Sequence, residues 1–279
     1  MLKRTITGAC YLAFITIFFL LRELVDTRLF HILTCAFTVL GTFEIARMTK
    51  PHAIKYNFIF AMIYGVLFVP LFVLFEYVLI KNFGYAVCLI LFAVALIVVS
   101  LVCIIKKSSK TEYFCTLVSY AYPSLFLLSM LVMNELGAVA FVALLLTFVI
   151  SPIADTMAYL VGSLIGGKKL CPRLSPKKTW SGAIGGLVGG AIGGIALFFI
   201  CRGDLCFGVS QLATAFIMVA IGIVAAFFTE AGDLFESFIK RRAGVKDSGK
   251  ILPGHGGVLD RIDGMLFASV FVCAVFLII

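Results

Sequence analysis

Between residues 237 and 263 the sequence reads SFIKRRAGVKDSGKILPGHGGVLDRID. Lys240, Arg241, Arg242, Lys246, Lys250 and Arg261 stand there among Asp247, Asp260 and Asp263, and His255 is flanked by Gly254, Gly256 and Gly257. Glu230, Asp233 and Glu236 lie just upstream. Asp233 is three residues from Glu230 and four from Ser237, so the three share one face of a helix. Asp260 and Asp263 are again three apart. Carboxylates brought from two helices to one point suit Mg²⁺, which keeps several waters and takes phosphate oxygens as its remaining ligands. An acidic pair at a helix start also complements the helix dipole, but that reading leaves Glu230 and Asp233 unexplained. The glycines allow backbone conformations in which amide N–H groups close on a phosphate. His255 can donate to a phosphate or to a nucleotide; a structural histidine is the alternative.

A second polar stretch precedes this one. The run ISPIADTMAYLVGSLIGG places Asp155 three residues after Pro152 inside an apolar segment. An ionisable residue there is a functional candidate, with a carboxylate that has reached interfacial water as the alternative. The loop that follows contains SPKKTW, with Ser175, Lys177, Lys178 and Thr179 as a compact set of phosphate donors stiffened by Pro172 and Pro176. A basic anchor on one membrane face explains the lysines but not the order of the motif. Trp180 reads as an interfacial anchor, with base stacking as the alternative. The nine cysteines form no CxxC pair, so thiolate metal sites and redox motifs are unsupported; Cys201 and Cys206 are close enough in sequence to pair, although small apolar fillers are the expected use.

The elements that must position these groups are apolar. The chain has 279 residues, 62% hydrophobic, and its mean hydropathy is +1.15. Runs near 5–21, 29–46, 58–79, 84–105, 114–133, 137–160, 182–200, 211–230 and 263–279 approach or reach the ~20 residues that cross a bilayer. These predict an all-α, polytopic helical membrane protein with about nine transmembrane helices. With the N-terminus cytoplasmic and the C-terminus outside, all 23 lysines and arginines except Arg22, Arg28, Lys81 and Arg202 fall on the inner side. Loops 166–181 and 240–261 then both face the cytoplasm, where nucleotides are. The first run is too long for a signal peptide and reads as a retained span.

Two regions follow. Residues 1–135 are expected to supply packing, a lipid groove and dimer contacts. Residues 136–279 form the catalytic transmembrane region with its two cytoplasmic loops. In the first, Glu44 and Arg47 share a helix face and predict a salt bridge. In the second, Gly182, Gly186, Gly190 and Gly194 recur every four residues, as do Gly185, Gly189 and Gly193, which predicts close helix packing rather than a phosphate loop.

The stretch from Ser237 through Lys246, Asp247, Pro253, His255, Asp260, Arg261 and Asp263 resembles the signature of CDP-diacylglycerol synthases, also called phosphatidate cytidylyltransferases. The DTMAY and SPKKTW segments resemble the same family, and the likeness is strong over residues 150–263. Met157 and Ser181 depart from its bacterial members, which often carry Gly and Glu there. The resemblance implies a reaction of CTP with phosphatidic acid that gives CDP-diacylglycerol and pyrophosphate. It implies Mg²⁺ on Asp233, Asp260 and Asp263, K⁺ as a second candidate cation, a homodimer in the bacterial inner membrane, and no nucleic-acid partner. Asp155, Lys177, Lys178, Lys240, Arg241, Lys246, Asp247 and Arg261 are then the expected catalytic groups. Ser175, Thr179, Ser237, Gly254, His255, Gly256 and Gly257 are expected to line the substrate site. Acidic residues in kinked helices also occur in ion-coupled transporters, but no inverted repeat is visible and cation coupling does not need basic loops.

Overall fold

The computed structural model describes residues 2–80, 82–203, 208–254 and 256–278, and His255 and Cys206 lie outside the described residues. Among the described residues, ten α-helices run in chain order: α1 Leu2–Leu24, α2 Phe30–Thr49, α3 Asn57–Leu74, α4 Gly84–Ile105, α5 Lys110–Ala121, α6 Ser124–Asn134, α7 Ala140–Ile165, α8 Trp180–Ile200, α9 Gln211–Arg242 and α10 Leu259–Ile278. Among the described residues, nine helical segments are long and apolar enough to cross a membrane. The all-α membrane class read from composition therefore holds.

Three elements differ from the sequence expectation. The span at 114–133 is two helices, α5 and α6, because Tyr122 ahead of Pro123 is extended (φ −113°, ψ 121°); a residue before proline is pushed out of the α region. The span at 211–230 is the first part of α9, a helix of 32 residues. At 1.5 Å per residue it is about 48 Å long, well beyond a ~30 Å hydrocarbon slab, so Lys240 and Arg241 are helical rather than part of a loop. The loop at 166–181 is largely an antiparallel hairpin, β1 Lys169–Cys171 and β2 Ser175–Thr179, with Lys169 opposite Thr179 and Cys171 opposite Ser175.

The chain divides into two compact units: Met1–Leu131 with Arg242–Arg261, and Val132–Arg241 with Ile262–Ile279. In the first, the core is built from Phe30, Leu33, Phe37, Phe68 and Phe72. Gly65 of α3 lets that helix close on Thr42 of α2, whose Cβ would stand 2.9 Å from an added methyl. One face of α4 (Ile90, Val94, Ile97 and Leu101) is more than half exposed, which suits a surface solvated by lipid rather than water.

In the second unit the two glycine rows of α8 face different partners. Gly185 and Gly189 lie against Val161 and Met157 of α7, and an added Cβ would stand 2.5 Å and 2.8 Å from their Cβ atoms. Gly190 lies against α9, where an added Cβ would meet the Ala226 methyl at 2.6 Å. Backbones approach this closely only where no Cβ intervenes. Met157 thus fills the groove that the glycines leave.

Candidate functional site

In the second unit, a cleft of about 440 Å³ is lined by Asp155, Lys177, Lys178, Thr179, Glu230 and Asp233, among others. The hairpin brings the two lysines in. Successive side chains of a strand point to opposite faces, so Lys177 is exposed while Lys178 turns inward. The Lys178 ammonium is 2.8 Å from Asp233 Oδ2, with the two side chains 22% and 33% exposed. Burial alone would lower its pKa, but Asp233, Glu230 and Asp155 more than offset that and hold it above the ordinary lysine value. It is therefore a permanent cation in the neutral range.

The cleft lining holds three carboxylates and three lysines, Lys169 included, but around Asp155 the carboxylates outnumber the cations. Asp155 has Asp263, Asp233 and Glu230 as electrostatic neighbours, with Lys178 as the opposing charge. Glu230 Oε1 is buried without a hydrogen-bond partner among the described residues. It faces Gly186, where any Cβ would collide with it. Asp263 has Glu236 within hydrogen-bonding range, with Asp233 and Lys240 as further neighbours. Two carboxyl groups so placed are favourable only with a proton or cation between them. Lys240 Nζ donates to Glu236 Oε2 at 2.9 Å, and Ser237 Oγ donates to Asp233 Oδ1 at 3.4 Å.

Among the described residues no group of three or more His, Cys, Asp or Glu side chains is placed to hold a metal ion. Mg²⁺ does not require such a group, since one or two carboxylates with waters and substrate phosphates suffice. Asp233 and Asp263 are electrostatic neighbours, a carboxylate pair of the kind such a site uses. The all-oxygen donor set, the carboxylates gathered around Asp155 and the orphaned oxygen of Glu230 fit a hard cation.

Thr179 lines the cleft and also has a local structural use. It is the N-cap of α8, with Oγ1 accepting from the Gly182 amide at 3.1 Å, as Thr commonly does at that position. Ser181 shares a hydrogen bond with it at 3.0 Å and also donates to the Gly166 carbonyl, tying the hairpin's entry to its exit. Ser181 therefore serves local structure. Ser175 lies half-buried in β2.

In the first unit, residues 243–258 fold into a loop around an open basin of about 700 Å³, lined by Lys246, Asp247, Lys250, Gly254, Gly256 and Arg261, among others. Lys246, Asp247, Lys250 and Arg261 are exposed. Gly254 and Gly256 have φ of +78° and +84°, a region that side chains other than glycine resist. Asp260 accepts from the amides of Ser248 (3.1 Å) and Gly257 (2.7 Å). The Gly257 amide, expected to meet a phosphate, is directed at Asp260.

Glu44 of α2 makes a long-range contact that local spacing missed. The sequence predicts its pairing with Arg47; its oxygens instead accept from Val258 N (3.0 Å), Leu259 N (2.8 Å) and Ser248 Oγ (3.3 Å). Arg47 lies over the Phe43 ring, 5.9 Å from its centroid. The signal available in the sequence was a glutamate in an apolar run, the same signal that marked Asp155.

Residues 2–279 match the family described as the cytidylyltransferase family. The chain belongs to that family. It is 39% identical over 129 residues to a phosphatidate cytidylyltransferase of Brucella abortus (strain 2308), covering 46% of this chain and 44% of the relative. A phosphatidate cytidylyltransferase of Staphylococcus aureus (strain COL) is 38% identical over 124 residues, covering 44% of this chain and 45% of that one. The matched segments thus span less than half the length of these curated relatives. Membership in the cytidylyltransferase family gives the transporter reading no support.

Proposed function

We propose that this member of the cytidylyltransferase family is a CTP:phosphatidate cytidylyltransferase. The observation that carries the reading is the cleft that Lys177 and Lys178 line together with the carboxylates of Asp155, Glu230 and Asp233. It is supported by the family match and by the naming of the curated relatives. The lipid phosphate oxygen attacks the α-phosphorus of CTP. A P–O bond forms to the lipid phosphate, the bond between the α-phosphorus and the bridging oxygen breaks, and pyrophosphate leaves with the electron pair. A phosphate monoester has a second pKa near ~6 and is mostly ionised at neutral pH, so no strong general base is required.

The barrier lies in bringing two anions together. Lys177 and Lys178 neutralise substrate phosphates, and Asp233 holds the Lys178 ammonium in place before substrate arrives. Asp233 and Asp263 would hold Mg²⁺, with Asp155 in support and K⁺ as an additional charge-balancing ion. When bound, Mg²⁺ supplies neutralisation of the charge that develops on the departing pyrophosphate. Lys246, Arg261 and Arg241 offer further phosphate contacts, with Lys240 orienting Glu236. Asp247, His255 and the neighbouring glycines are assigned to the nucleotide pocket. We further propose a homodimer in the bacterial inner membrane with its active site on the cytoplasmic side, a reading supported by the lysine and arginine asymmetry. Detergent-purified protein should release pyrophosphate from CTP only when phosphatidic acid and Mg²⁺ are both present. Release without lipid, or none with it, contradicts the assignment.

A further inference from the structure

We propose that Glu44 is the positioning residue for the basic loop 243–258, setting the geometry in which that loop receives the phosphates of CTP; this rests on the cytidylyltransferase reading above. Glu44 is 1% exposed, and its carboxylate meets the loop through uncharged donors. Its two oxygens take the Val258 and Leu259 amides and the Ser248 hydroxyl, the first of them 214 residues away in sequence. Leu259 begins α10, so Glu44 caps that helix from a different helix. The first amides of a helix have no intrahelical acceptor, and a negative charge there also matches the helix dipole.

Two glycines of the loop are explained by this contact. A Cβ at Gly249 would stand 2.8 Å from Glu44 Cδ, and one at Gly257 would stand 2.6 Å from it. The loop backbone therefore lies directly on the carboxylate. Asp260 draws on the same loop from the other end by holding the Ser248 and Gly257 amides. Ser248 touches both acids, its amide on Asp260 and its hydroxyl on Glu44. Lys246 and Lys250 flank this pinned residue, and Arg261 follows the capped turn, so the clasp sets where three cations are presented. The loop is also tied to α1, where Thr7 donates to the Pro253 carbonyl at 3.1 Å.

Glutamine keeps the shape of Glu44 but offers one acceptor oxygen and turns an NH₂ donor toward an amide N–H. Glu44→Gln should raise the KM for CTP about tenfold or more, as expected for orphaning one buried donor, with a smaller change in kcat. Glu44→Asp should fall between the two. Hydrogen exchange of the full-length protein should show faster exchange at residues 244–259 in Glu44→Gln, a readout independent of turnover. An unchanged KM for CTP in an active Glu44→Gln variant, or a kcat loss with KM intact, overturns the proposal. Exchange at 244–259 equal to that of the unaltered protein overturns it as well, even if the unaltered protein has no activity. Absence of activity in the unaltered protein, by contrast, refutes the function assigned above.

Discussion

Replacing Lys178 with methionine removes the ammonium while keeping most of the side chain's bulk. The lost pair is short, 2.8 Å, and its side chains are 22% and 33% exposed. Breaking a fully buried pair costs ~3–5 kcal/mol, and an exposed pair is worth at most about 1 kcal/mol. Partial exposure discounts the first figure, so the stability loss should be about 1–3 kcal/mol. The catalytic loss should be larger. A fixed charge aimed at charge that develops in the transition state is worth ~10²–10³ in rate, so kcat/KM of Lys178→Met should fall about a hundredfold or more. The double variant Lys178→Met/Asp233→Asn isolates the stability part, since Asp233 is itself assigned to Mg²⁺. It removes the uncompensated carboxylate and should recover part of the thermal stability, while pyrophosphate release stays low. Lys178→Met with kcat/KM within about threefold of the unaltered protein would refute the reasoning. So would recovery of activity in the double variant, which would make the lysine a partner for Asp233 and nothing more.

Other outcomes follow from the same geometry. Asp263→Asn should abolish CTP-dependent turnover while the protein still inserts in membranes; retained turnover would remove Asp263 from the metal-binding role. Gly190→Ala should destabilise the protein by ~1–3 kcal/mol in a reversible unfolding assay, because the new methyl overlaps the Ala226 Cβ and overpacking has that cost. The folded pKa of Lys178 lies above its ordinary 10.5. Its stabilisation is therefore fully present below about that pH and is lost as pH rises through the folded value. Lys178→Met should flatten this alkaline loss in melting experiments, and an unaltered profile would show that the pair does not form.

The helices were legible because span length and hydropathy are local properties. Pro123 was equally visible, yet its run was long enough to read as one span, so the α5–α6 break was missed. The hairpin at 169–179 was missed for another reason: β2 has five residues and includes Pro176, too few to show an alternating pattern. Asp155, Lys178 and Asp233 were each marked by their type in an apolar chain, but which of them touch is set by how α7, α9 and the hairpin pack. Glu44 shows the limit most clearly. Spacing of three to Arg47 suggested a partner on the same helix, and a contact 214 residues away won. It won because three loop and helix-end donors needed an acceptor and one exposed arginine did not.

The central claim is that this chain transfers the cytidylyl group of CTP to a lipid phosphate at a site of paired cations and carboxylates. CTP labelled at the α-phosphate, incubated with phosphatidic acid and Mg²⁺, tests it directly. Label should move into the organic-extractable lipid with the unaltered protein and stay in the aqueous phase with Asp263→Asn. Label that never enters the lipid, or enters it equally with the variant, would contradict the account.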